Sequence, residues 1–126
     1  MAAELRYLLD TNISINLLDG NSHGAANRLA DQDAGSVATS SICLAELLVK
    51  LTPKQAARLP QFLANIAVLP FDDAAAIEYG RLPFERRSFD RLIAAHALSL
   101  GLTVVTANEV DFANIPDLRV ENWNLA

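Results

Sequence analysis

The chain has 126 residues, of which 52% are hydrophobic and 20% are charged, so it is long enough for one folded domain and too apolar for a disordered protein. Its formal net charge of −5 argues against a basic surface spread over the whole molecule, and its single cysteine, Cys43, excludes an internal disulfide. The sequence has neither an uninterrupted apolar stretch of about 20 residues nor a secretory signal, so we expect one cytoplasmic domain over residues 1–126.

Short apolar runs alternate with segments of helical periodicity in the first half of the chain. The predicted elements are, in order, a buried strand at residues 7–9, a helix over 13–19 capped by Asn12 and closed by Gly20, a helix capped by Ser22, a strand at 36–39, and a helix that begins at Ser40 or Ser41. Thr52, Pro53 and Gln55 then form a capping-box pattern, which opens a further helix. Pro60 predicts an interruption or a kink in that helix.

The same alternation continues to the end of the chain. The predicted elements are a strand at 66–69, a helix capped by Asp72 or Asp73, a helix that begins at Ser88 and stops at Gly101, a strand at 102–105, and a short strand at Arg119 and Val120. Strands that alternate with helices imply right-handed crossovers and a mainly parallel sheet covered on both faces, which is an α/β fold. In such a sheet a site forms at the carboxyl ends of the strands, where the strand order reverses.

Four acidic residues follow apolar segments at short intervals, and the predicted sheet would bring them to the same edge. They are Asp10, Glu46, Asp90 and Asp111. Carboxylates about 4 Å apart repel each other by about 4 kcal/mol at an effective dielectric constant near 20, so such a cluster requires a cation. Mg²⁺ or Mn²⁺ suits carboxylate ligands, whereas zinc is disfavoured because neither histidine has a second histidine nearby. With these acids set aside, the chain is close to neutral, so RNA remains a possible substrate.

Each of these residues also has an ordinary structural explanation. An aspartate at the end of one strand is more often a helix cap than a catalytic residue, and Asp10 alone would be weak evidence. Glu46 and Asp90 are more informative, since both lie in otherwise apolar segments, where an acid is seldom buried without a partner. His96 is expected to pack in the core. The arginines of residues 81–91 fit either an RNA-binding surface or a solvated helix end.

Several segments resemble PIN-domain ribonucleases in the order in which that family has them. Residues 8–12, with Asp10, Thr11 and Asn12, look like the family's opening motif, residues 40–47 resemble the second motif, and residues 89–97 are similar to the third. Residues 105–112 and 120–123 resemble the closing segment of VapC-type toxins. The resemblance covers nearly the whole chain.

The resemblance implies an α/β/α sandwich and an endoribonuclease that depends on Mg²⁺ or Mn²⁺, usually the toxin of a toxin–antitoxin pair. Asp10, Glu46 and Asp90 match the metal-binding acids of the family, and either Asn108 or Asp111 matches the fourth position. We favour Asp111 as the fourth ligand and Asn108 as a hydrogen-bonding residue that orients it. The other polar residues that match the family's motifs are Thr11, Asn12, Ser40 and Thr106.

The family's mechanism implies hydrolysis of an RNA phosphodiester by a water molecule that the metal activates. Arg86, Arg87 and Arg91 would contact the RNA backbone. The resemblance further implies an antitoxin partner and a homodimer. Residues 13–18 and 44–51 contain more apolar side chains than the core needs. The surplus could form the dimer interface or bind the antitoxin.

Two functions of other classes compete with this one. A receiver-like signalling domain has a similar length, but it needs an aspartate at the end of the third strand and a lysine after the fifth, whereas Lys50 and Lys54 come too early. An inactive domain that only binds a partner protein is the second alternative, and the retained acids argue against it.

Overall fold

The computed structural model describes residues 4–20, 23–83 and 88–124, which form strands and helices in the predicted alternation. The strands are β1 (Tyr7–Leu9), β2 (Val37–Ser40), β3 (Ala67–Leu69), β4 (Thr103–Thr106) and β5 (Val120–Asn122). The helices are α1 (Thr11–Asp19), α2 (His23–Ala30), α3 (Ser41–Lys50), α4 (Pro53–Ala56), α5 (Leu59–Asn65), α6 (Asp73–Arg81) and α7 (Phe89–Leu100), and a short 3₁₀ helix covers Glu109–Phe112.

The strands form one parallel sheet in the order β3-β2-β1-β4-β5. The chain moves outward from β1 to β3, then crosses to the other side of β1 to add β4 and β5. The strand order therefore reverses between β1 and β4, which is where a parallel sheet opens a crevice at the carboxyl ends of its strands. A receiver-like domain has the order 2-1-3-4-5, so this topology contradicts that alternative.

Apolar side chains cover both faces of the sheet, which confirms the predicted α/β fold. Leu8, Ala38 and Val104 belong to one cluster, together with residues of α3 and α7. Leu9 and Val105 point to the opposite face, where they pack with residues of α1 and α2 and with Trp123. Side chains alternate between the two faces along each strand, so helices on both sides are needed to bury them.

Most helix ends lie where the sequence predicts them. Gly20 and Gly101 close α1 and α7 in the left-handed conformation, with φ of 69° and 67°. Thr52 and Gln55 form the predicted capping box at the start of α4. The predicted interruption is confirmed, because the helix is divided into α4 and α5. Pro60 lies in the first turn of α5, where a missing N–H costs nothing, so no kinked helix forms.

Two predicted caps have other outcomes. The prediction that Asn12 caps α1 is wrong, because the helix begins at Thr11 and Asp10 is its N-cap. The predicted cap Ser22 lies outside the described residues, although α2 itself begins at His23 as the periodicity suggests. In the part of the chain that the structure describes, no helix has the length and apolar character needed to cross a membrane.

Candidate active site

Asp10 lies at the crevice between β1 and β4 and is almost completely buried, with 1% of its surface exposed. Its backbone N–H donates to the carbonyl oxygen of Val105, which fixes the residue beside the end of β4. Its Oδ1 accepts a hydrogen bond of 2.8 Å from the N–H of Ile13, and its Oδ2 accepts one of 2.5 Å from the hydroxyl of Thr106. The first turn of α1 therefore holds one carboxylate oxygen, and the end of β4 holds the other.

Burial raises the pKa of Asp10 from 3.8 to about 6. The hydrogen bonds from Ile13 and Thr106 act in the opposite direction because they stabilise the charged form, and the negative charges of Asp90 and Asp111 raise the pKa further. The ionised form of Asp10 is therefore less stable here than it would be in water. A cation in the crevice would remove that penalty.

Glu46 lies on α3, the helix that follows β2, and its side chain reaches the same crevice. Its carboxylate is buried, with 8% of the residue exposed, and its Oε1 accepts a hydrogen bond of 2.6 Å from the hydroxyl of Thr11. This bond joins Glu46 to the residue that directly follows Asp10. Glu46 Oε2 lies 3.0 Å from the ammonium of Lys50, one turn later on α3.

Asp90 and Asp111 complete the acidic group from the other side of the crevice. Asp90 is half-buried in the first turn of α7, whereas Asp111 is exposed in the 3₁₀ helix that follows β4. Burial raises the pKa of Asp90, and the charges of Asp111 and Glu46 raise it further, while Lys50 lowers it. The four predicted acids are therefore close enough to interact electrostatically.

The polar residues predicted near the acids divide into two groups. Thr11 and Thr106 contact the acids directly, and the N–H of Asn108 donates to the Thr106 hydroxyl over 3.0 Å. The Asn108 side chain caps the 3₁₀ helix that carries Asp111, so it helps to position that residue. Asn12 is exposed.

The side chain of Ser40 makes its described hydrogen bonds to α3 and α7 and none to an acid. The Ser40 hydroxyl accepts from the N–H of Ile42 at the start of α3 and lies 2.8 Å from Nδ1 of His96. His96 is buried, as predicted, and burial lowers its pKa below the usual value. Because Ser40 is also fully buried, this serine–histidine pair connects α3 to α7 and has no access to a substrate.

Of the three predicted RNA-contacting arginines, the structure describes Arg91, and its placement differs from the prediction. Arg91 is buried, and its guanidinium donates to the carbonyl oxygen of Pro83, so it holds the connection between α6 and α7 instead of facing solvent. Helical spacing places Arg91 on the same face of α7 as the buried residues Ala94 and Ala95, and this explains the difference. Arg86 and Arg87 lie outside the described residues.

Lys50 is the site residue that the sequence analysis missed. The signal was available, because a glutamate followed four residues later by a lysine on one helix is a typical ion-pair spacing. What the spacing could not indicate is that the glutamate of this pair would be buried in a crevice with other acids.

The donor set of the crevice suits a hard divalent cation. It offers carboxylate and hydroxyl oxygens, which Mg²⁺ and Mn²⁺ prefer, and the described residues supply no histidine or cysteine ligand beside the acids. No three His, Cys, Asp or Glu side chains among the described residues lie close enough to ligate one ion together. Mg²⁺ does not require three such ligands, because it commonly keeps several waters and takes one or two protein carboxylates.

The raised pKa of Asp10 predicts how stability depends on pH when metal is removed by EDTA. Because the folded protein holds the Asp10 proton more tightly than the unfolded chain does, the free energy of unfolding should fall by up to about 3 kcal/mol as the pH rises from 4 to 7. The variant Asp10→Asn should lose this part of the fall, and urea unfolding at both pH values measures it.

Asp72→Asn provides a matched control, since Asp72 makes the same N-cap contact on α6 but is exposed. It should retain the pH dependence of the wild-type protein. An equal fall in the wild-type protein and Asp10→Asn would contradict the assignment of the shift to Asp10.

The chain is similar to known proteins over almost its whole length. A family model described as PIN domain matches residues 7–118. The tRNA(fMet)-specific endonuclease VapC of Salmonella typhimurium is 34% identical over 131 residues, which cover 94% of this chain and 98% of that protein.

Solved structures show the same fold at full length. The structure of DNA-bound VapBC from Salmonella typhimurium superimposes with a TM-score of 0.84 at 31% identity, covering 95% of this chain and 99% of that one. VapBC-5 from Mycobacterium tuberculosis, described as a member of the VapBC family of toxin-antitoxin systems, gives a TM-score of 0.63 at 30% identity, with coverages of 94% and 98%. The chain therefore belongs to the PIN-domain family and, within it, to the VapC-type ribonucleases.

Proposed function

We propose that this protein is a Mg²⁺-dependent endoribonuclease, with Mn²⁺ as an alternative ion, and that it is the toxin of a toxin–antitoxin pair in the cytoplasm. The observation that carries the proposal is the buried Asp10, whose pKa is raised by burial and, to a smaller extent, by the charges of Asp90 and Asp111 in the same crevice. The relative from Salmonella typhimurium is named for its action on tRNA(fMet), which makes this tRNA the first substrate to test.

The crevice supplies the groups that metal-dependent hydrolysis requires. Asp10, Glu46, Asp90 and Asp111 would hold the ion directly or through water. A bound divalent ion would lower the pKa of a water molecule and offset charge on the phosphate oxygens. Thr11 and Thr106 keep the carboxylates of Glu46 and Asp10 in fixed orientations, so these two acids need little rearrangement when the ion binds.

No side chain of the crevice needs to act as a nucleophile. The Ser40 hydroxyl and the His96 ring are buried against each other, so neither can reach an RNA phosphate. Cys43 is also fully buried, and burial raises the pKa of its thiol, which keeps it in the unreactive form. These placements favour water as the attacking group.

Substitution of the acids should abolish RNA cleavage. We expect Asp10→Asn and Asp90→Asn to reduce the rate of tRNA(fMet) cleavage in Mg²⁺ by more than roughly 100-fold, since losing even an indirect partner of a metal ligand typically costs 10- to 100-fold. A gel assay of labelled tRNA, with and without EDTA, measures the rate.

The exposed control Asp117→Asn should cleave at the wild-type rate. Asn108→Ala and Asp111→Asn, assayed in parallel, decide which residue supplies the fourth position. Full activity of Asp10→Asn, or cleavage that survives EDTA, would contradict the proposed metal site. No cleavage by the wild-type protein would favour a domain that only binds a partner.

The antitoxin contact has a candidate surface at the opposite end of the sheet. A groove of about 640 Å³ is lined by Leu17, Ala26, Leu29, Phe62 and Ile66, from α1, α2, α5 and the segment before β3. It also borders the start of β2, whereas Asp10 lies past the carboxyl end of β1. We infer that an apolar segment of the antitoxin occupies this groove, in line with the toxin–antitoxin assemblies among the structural neighbours.

A charged side chain in the groove should weaken the complex. Ala26 is exposed and lines the groove, so Ala26→Arg should fold normally, cleave RNA normally, and lose at least roughly tenfold in affinity for the antitoxin, because its long side chain would occupy the groove and its charge would lose water in the complex. Co-purification with the co-expressed antitoxin tests this. Ala76→Arg on the exposed face of α6 is the control, and equal binding by both variants would place the antitoxin elsewhere.

A homodimer is also part of the proposal. Leu48 and Val49 on α3 are 66% and 85% exposed, and large apolar side chains at adjacent exposed positions are typical of a contact surface. We infer that this surface of α3 pairs with the same surface of a second copy.

The variant Val49→Glu should therefore be monomeric, because two facing glutamates would repel each other in the interface. Light scattering on purified protein measures the mass. Leu100→Glu, at an exposed apolar position on α7, should leave the dimer intact. A wild-type monomer, or a dimeric Val49→Glu, would reject this interface.

A further inference from the structure

The acidic crevice contains a cation of its own, the ammonium of Lys50. Lys50 Nζ lies 3.0 Å from Oε2 of Glu46, while Oε1 of the same carboxylate accepts from Thr11. Both oxygens of Glu46 are therefore engaged within the chain. The presence of Lys50 also lowers the pKa of Asp90, which places its charge near a second acid of the crevice.

This pair differs from an ordinary surface ion pair. In Arg81–Glu78 and Arg28–Glu121, the carboxylate side chains are 27% and 38% exposed, so water already stabilises their charges. The Glu46 side chain is only 8% exposed, whereas that of Lys50 is 54% exposed. A carboxylate with little access to water depends on its partner, while the ammonium can leave for solvent at small cost.

We propose that Lys50 is the built-in counter-ion of the acidic crevice, and that a divalent ion has to displace its ammonium from Glu46 in order to bind. Lys50 is thus a positioning residue that lowers the affinity of the site for metal and stabilises the metal-free protein. The proposal rests on the proposed function only in taking Glu46 as a metal ligand.

The displacement is physically reasonable because the two cations exclude each other. An ammonium and a divalent ion on one carboxylate repel at short range, in a crevice where water screens them poorly. Lys50 is held by a flexible side chain at the end of α3, so it can swing outward without any change in the backbone. The Thr11 side chain cannot swing outward in this way, because it is buried.

Direct titration with Mn²⁺ tests the proposal without reference to RNA cleavage. We expect Lys50→Met to bind MnCl₂ roughly five- to tenfold more tightly than the wild-type protein in calorimetry, which corresponds to the loss of one partly buried ion pair. In EDTA the same variant should melt at a lower temperature, and Mn²⁺ should raise its melting temperature by more than it raises that of the wild-type protein.

Two further variants separate local contact from total charge. Lys54→Met removes the same charge from an exposed position on α4, and it should bind Mn²⁺ like the wild-type protein. Lys50→Arg keeps a cation beside Glu46 and should restore the weaker binding. These two controls make the expected result specific to the ammonium on Glu46.

The outcomes are distinguishable. If the wild-type protein binds Mn²⁺ and Lys50→Met binds it with the affinity of Lys54→Met, or more weakly, the counter-ion proposal is overturned while the proposed function stands. If neither the wild-type protein nor any variant binds Mn²⁺ at millimolar concentration, both are overturned.

Discussion

The site depends on the burial of one carboxylate at the point where the sheet reverses its strand order. Asp10 follows β1, receives a hydrogen bond from the first turn of α1, and receives another from Thr106 at the end of β4. These contacts fix its orientation but do not offset the cost of removing its charge from water, since its pKa stays raised to about 6. The fold therefore holds an acid in a position that favours a cation.

The other acids increase the same electrostatic cost. Glu46, Asp90 and Asp111 arrive from three different connections, and their charges act on one another across the crevice. Such an arrangement lowers the stability of the metal-free protein, and natural proteins tolerate this kind of cost mainly at functional sites. Lys50 reduces the cost at Glu46, which is consistent with a site that is folded before any ion arrives.

Three parts of the fold carry the acidic crevice, the proposed antitoxin groove and the proposed dimer surface. The acids lie at the carboxyl ends of the strands, and the apolar groove borders the beginning of β2. The exposed pair Leu48 and Val49 lies on α3, which also carries Glu46 and Lys50. Because α3 carries both the proposed dimer surface and two residues of the crevice, a shift of this helix on dimerisation would also move Glu46 and Lys50.

The sequence by itself determined the features that depend on neighbouring residues. The capping box of Thr52 and Gln55, the left-handed ends at Gly20 and Gly101, and the alternation of strands with helices all follow from local backbone chemistry. The four acids were identified in the same way, because each follows an apolar segment. Their meeting in one crevice was only an expectation until the strand order was known.

Only the tertiary structure decided the features that depend on distant contacts. Asp10, not Asn12, caps α1, because pairing of β1 with β4 fixes where the strand ends and the helix begins. Helical spacing places Arg91 and His96 on buried faces of α7, but no local pattern identifies the Pro83 carbonyl and the Ser40 hydroxyl as their partners. Lys50 was visible as a helix ion pair, but its position in the crevice follows from the burial of Glu46, and burial is a property of the assembled fold.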